Sequence, residues 1–172
     1  MRPAIDLEKL TDQQIKNVIE NYRRKGMVQD SVYIEALAEQ ARRTGKGLDF
    51  KKSYEAISRS AVEGHFISYK DLADASGADW GKVHYSIGEH LWSLVEYAHR
   101  KGWPMLSAIV VNKPNVSTGH MEPETLRGFI AAAKELGFSI TDEQAFLRDQ
   151  QRRVFEWANA DSTPLPTGEG QR

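Results

Sequence analysis

The sequence predicts a mainly α protein with a small β component, an α+β chain. Three observations carry that expectation. Apolar residues recur at helical spacing in one stretch after another. Capping residues and glycine stops bracket those stretches. One β-branched run, Ser107-Ala108-Ile109-Val110-Val111, interrupts them as a strand would.

Taken in order, Thr11 and Gln14 form a capping box before Ile15, Val18, Ile19 and Tyr22, and Gly26 stops that helix. Ser31 is the expected cap of a second helix with Ile34, Leu37, Ala38 and Ala41 on one face. Asp49 caps a third, carrying Phe50, Tyr54, Ile57 and Ala61 and closing at Gly64. Phe66-Ile67 reads as a very short strand. Ser68 then caps a helix with Leu72 and Ala73, and Gly77 follows it as the left-handed stop.

Asp79 caps a long helix whose stripe is Val83, Ile87, Leu91, Leu94, Val95 and Ala98. Gly102 ends it and Pro104 prevents its resumption. Two helices joined by a short glycine-containing turn make a helix-turn-helix arrangement. Ala108–Val111, the turn-rich loop Asn112–Gly119 and His120-Met121 then read as a β-hairpin, so the core is expected to be winged-helix-like. Pro123 opens a further helix with Leu126, Phe129, Ile130 and Ala133 inward. Thr141 and Gln144 open a last one with Phe146, Leu147, Val154 and Trp157. The expected division is a helical segment at 1–64 packing on the core, a winged-helix-like domain at 65–158 and a disordered tail at 159–172.

The chain has 172 residues, enough to bury a substantial core, with 40% hydrophobic and 27% charged residues. It has no cysteine, which removes disulfides, thiol nucleophiles and thiolate zinc sites and fits a reducing, cytoplasmic setting. No run approaches the ~18 apolar residues of a membrane span, so no membrane partner is expected. The net charge of −1 carries no global signature of a nucleic-acid binder. From Gly64 to Lys101, Lys70, Lys82, Arg100 and Lys101 face the five carboxylates of Asp71, Asp74, Asp79, Glu89 and Glu96.

Cations concentrate instead at Arg42, Arg43, Lys46, Lys51 and Lys52. The start of the long helix would present Lys82, His84 and Tyr85, and the wing would present Lys113. Together these nine residues are the expected DNA-binding set, because the first turns of a recognition helix enter the groove and cations meet phosphate. The function expected is a non-enzymatic binding protein, either a regulatory duplex-DNA binder or an accessory subunit contacting a protein. Trp92 is a partner-contact candidate if exposed, with burial against the N-terminal helices as the alternative.

A hydrolase or nuclease built on Glu89 or Glu122 with His84, His90 or His120 is the competing reading. It requires those side chains to converge. The sequence has no nucleophile elbow, phosphate loop or dinucleotide fingerprint, and no cofactor or catalytic residue is expected.

In order along the chain, Tyr69-Lys70-Asp71-Leu72-Ala73, Ile87-Gly88 with Leu91, Pro104, Ile109-Val110-Val111 and Leu136-Gly137-Phe138 resemble the C-terminal winged-helix domain of alkylguanine-DNA alkyltransferases and their alkyltransferase-like relatives. The resemblance spans roughly residues 66–140 and implies the fold. Where that family has its alkyl-accepting cysteine this chain has Met105, followed by Leu106 and Ser107, so alkyl transfer is chemically excluded. Tyr85 stands where the family has arginine.

Overall fold

A computed structural model of the protein describes residues 5–44 and 47–160. A 3-10 turn at Leu7–Lys9 precedes α1 (Asp12–Arg24), which opens on the Thr11–Gln14 capping box expected from the sequence. α2 spans Ser31–Thr44. Its cap is Asp30 rather than Ser31: the Val32 N–H donates to Asp30 Oδ1 at 2.9 Å, and Ser31 is already helical. α3 (Phe50–Val62) starts at Asp49, whose carboxylate accepts the Lys52 N–H. The strand β1 (Ile67–Ser68) runs into α4 (Tyr69–Ala75), where Ser68 and Asp71 form a second capping box.

The expected long helix is divided. α5 (Trp80–Val83) begins at Asp79, the chain breaks at His84-Tyr85-Ser86, and α6 (Ile87–Arg100) continues. A break of this length keeps Val83 and Ile87 on the same buried side, so the apolar stripe runs through it undisturbed. After a 3-10 turn at Leu106–Ile109 comes β2 (Val110–Val111), and another 3-10 turn at Lys113–Asn115. α7 (Pro123–Glu135) and α8 (Glu143–Asn159) complete the chain. The cap of α8 is Asp142, which accepts the Ala145 N–H, and not the expected Thr141.

The mainly α class stands, with one two-stranded sheet among the described residues. The β-hairpin does not. β1 pairs with β2 in parallel, Ile67 opposite Val110 and Ser68 opposite Val111. Strands separated by α4, α5 and α6 have the helical crossover that parallel pairing requires. His120-Met121 is not a strand. Its segment is held from the other side, because Gln151 Nε2 on α8 donates to the carbonyls of Ala108 (3.0 Å) and Gly119 (2.9 Å).

One cluster of buried residues runs from Ile15 on α1 to Ala158 on α8. α6 passes through it, with Leu94, Val95, Tyr97 and Ala98 almost without exposure. Tyr97 meets Tyr33 of α2 and Phe50 of α3, and Trp103 stacks on Tyr54 and leans on Trp157. The first three helices therefore share the core that supports α4, α5 and α6. The expected tail starts where α8 ends, and residues 161–172 lie outside the described residues. No described helix is long and apolar enough to cross a membrane.

Candidate functional site

The turn between α4 and α5 is built from Gly77, at φ +70°, and from the Ala78 N–H donating back to the Ala73 carbonyl at 2.9 Å. That closure turns the chain sharply enough for Asp79 to cap α5 through the Gly81 N–H. Ser76, in the same turn, reaches a different element. Its Oγ accepts the Asp49 backbone N–H at 2.9 Å. Gly47 also approaches Ala78, leaving ordinary contact distance for a Cβ at 3.8 Å. The end of the α2–α3 link, at Gly47 and Asp49, thus abuts the α4–α5 turn.

Within that cluster the cations differ. Arg43 donates to Glu39 at 2.7 Å, to Asp12 at 2.8 Å and to the Leu7 carbonyl at 3.1 Å. It clamps the N-terminal 3-10 turn and α1 onto α2. Arg42 pairs with the same Glu39 at 2.5 Å, and the Arg42 and Arg43 hydrogen bonds hold that nearly buried carboxyl below the usual carboxylate range. Lys51 pairs with Glu35. Lys46 lies outside the described residues. Lys52, Lys82 and Lys113 are exposed and have no ion-pair partner among the described residues. β2 ends opposite Ser68, so Lys113 follows at the N-terminal end of α4. Lys82 lies beyond its other end, and the seven-residue α4 between them spans about 10 Å.

Tyr85 sits in the break between α5 and α6 and is 86% exposed. His84 is half-buried, with its ring centroid 3.8 Å from that of Tyr85 and 5.7 Å from that of Trp80. His90 goes the other way. It has no exposure, shares a 2.7 Å hydrogen bond between Nε2 and Ser53 Oγ, and leaves Nδ1 without a partner. Burial pushes it down to about 4, against the opposing charge of Asp49, so it is neutral near pH 7. A Ser–His pair sealed in the core has no access for a substrate.

His120 is exposed, and Glu122 accepts a hydrogen bond from Asn115 Nδ2 at 3.0 Å. No group of three or more His, Asp or Glu among the described residues could hold a metal ion.

A feature missed by spacing alone is a groove of about 260 Å³ between α6 and α7. Leu91, Trp92 and Val95 form one wall, Phe129 and Ala132 the other, with Tyr69 and Met121 between them. Trp92 is half-buried here, against α7 rather than against the N-terminal helices. Gly88 and Gly128, both exposed, add no side chain to the lining. The two glycines stand on helices distant in sequence, so the groove is seen only in the tertiary fold.

Comparison of the chain with protein-family models, with curated proteins and with solved structures finds no match.

Proposed function

We propose that this chain is a non-enzymatic DNA-binding protein of regulatory type, working through the α4–turn–α5 segment and the start of α3. The observation that carries this reading is the Asp49–Ser76 hydrogen bond of 2.9 Å, which ties the basic link to the helix-turn-helix turn. Lys52 stands three residues after Asp49, Lys82, His84 and Tyr85 follow the turn that Ser76 belongs to, and Lys113 lies at the other end of α4. The motif order resembling the winged-helix domain of the alkyltransferases supports the same reading. The absence of cysteine supports a cytoplasmic setting.

The internal ion pairs of Arg42, Arg43 and Lys51 set the expected strength. With about three phosphates neutralised, the slope of log affinity against log salt is about −3, roughly a forty-fold loss from 50 to 200 mM salt. Fluorescence anisotropy of a labelled duplex measures it. Lys52→Ala and Lys82→Ala should each flatten the slope by about one. Absence of any duplex binding at low salt overturns the reading.

The apolar groove between α6 and α7 favours a second reading, an accessory subunit docking a protein partner. A stoichiometric companion on purification from the native cell, lost in Trp92→Ala, would select it.

A further inference from the structure

We propose that Tyr85 is a stacking platform for an unpaired nucleobase, so that the DNA this surface prefers contains an unstacked position. This rests on the DNA-binding reading and goes further by naming the structural state of the DNA. Among the described residues Tyr85 is the most exposed large hydrophobic side chain, at 86% against 46% for Ile5 and 55% for Val62. It is also held in place. The break that carries it is closed by the Ser86 N–H donating to the Val83 carbonyl at 2.8 Å, between a capped helix and the buried start of α6. Trp80, His84 and Tyr85 form a ladder of rings with centroid spacings of 5.7 and 3.8 Å. His84 backs one side of the tyrosine ring and leaves the rest of it in water.

A ring presented this way offers a face, and the ligand that matches is another flat ring. Lys82, in the turn before, has no carboxylate partner among the described residues and is placed to meet a phosphate of the same nucleotide strand. Aromatic face plus nearby cation is the combination by which single strands are held. A fully paired duplex shows base edges in its grooves and keeps the faces stacked, so it cannot fill the platform. Asp79 is engaged in capping the Gly81 N–H, and exposed Glu89 opposes phosphate. Both acids keep the electrostatic attraction modest, which leaves stacking as the term that discriminates between DNA structures.

The test uses the full chain and two linear duplexes, one carrying a single bulged 2-aminopurine and one fully paired. Wild type should quench the 2-aminopurine and bind the bulged duplex more tightly. Tyr85→Ala should lose roughly ten-fold on the bulged duplex and little on the paired one, while Tyr85→Phe, which keeps the ring, retains both. Lys82→Ala should weaken both. Equal binding of the bulged duplex by wild type and Tyr85→Ala, or an equal loss on both duplexes, overturns the stacking assignment and leaves the DNA-binding reading standing. Binding of neither duplex by wild type overturns both. Circular dichroism of Tyr85→Ala should match wild type, since the side chain is outside the core.

Discussion

At the scale of single residues, His90 is fully buried with one ring nitrogen bonded to Ser53 and the other without a partner among the described residues. A histidine whose pKa falls from 6.5 unfolded to about 4 folded binds fewer protons in the native state between those values. Its contribution is fully present above pH 6.5 and is lost as pH falls toward 4. Urea titrations at pH 7 and pH 5 should differ by about 2 kcal/mol from this group, and His90→Gln should remove most of that difference. Ser53→Ala strips the one hydrogen bond of the buried ring and should cost about 1–3 kcal/mol at pH 7. Helical spacing places His90 beside the apolar stripe of α6. Ser53 lies 37 positions away, so only folding could show the bond, the full burial and the unpartnered nitrogen.

At the scale of elements, caps and stops were readable because each acts within three or four residues. Thr11, Asp49, Ser68 and Asp79 all cap as their spacing predicts. The pairing of strands was not readable, because alternatives to the hairpin differ in contacts made across tens of residues. The loop expected to be a wing is instead folded under Phe66. Gly119 has φ +76°, and a Cβ there would run into the Phe66 ring, which itself packs edge-on against Phe155. Gly119→Ala should therefore cost about 1–3 kcal/mol in denaturant unfolding. Arg43 belongs to this scale too. Arg43→Ala should speed amide exchange in residues 7–10, whose carbonyls and neighbouring helix it clamps, and leave DNA affinity unchanged.

For the molecule as a whole, α8 is the closing element. Gln150 Oε1 accepts the Met105 N–H at 3.0 Å, and Gln151 bonds the Ala108 and Gly119 carbonyls, all in buried surroundings. These two side chains tie the C-terminal helix to the segment that delivers β2 to its partner. Gln151→Leu leaves two buried carbonyls without a donor and should cost about 1–3 kcal/mol, read as a lower denaturation midpoint with an unchanged m-value. Because the cluster is continuous from α1 to α8, near- and far-ultraviolet signals should melt together.

The sequence by itself determined the helices, their caps and the apolar stripe of α6, because those rest on local periodicity and on hydrogen bonds to nearby amides. It also located the cations. Tertiary structure alone decided the charge pairs between helices, since Asp12 and Glu35 reach Arg43 and Lys51 only once α1, α2 and α3 have packed, whereas Glu39 meets Arg42 and Arg43 three and four residues along α2 itself. It decided the parallel pairing of β1 with β2 and the helix break at His84-Tyr85-Ser86, which the apolar period passes through unmarked. Strand partners and the charge pairs between helices are set by residues far apart in the chain, and spacing within one segment carries no record of them.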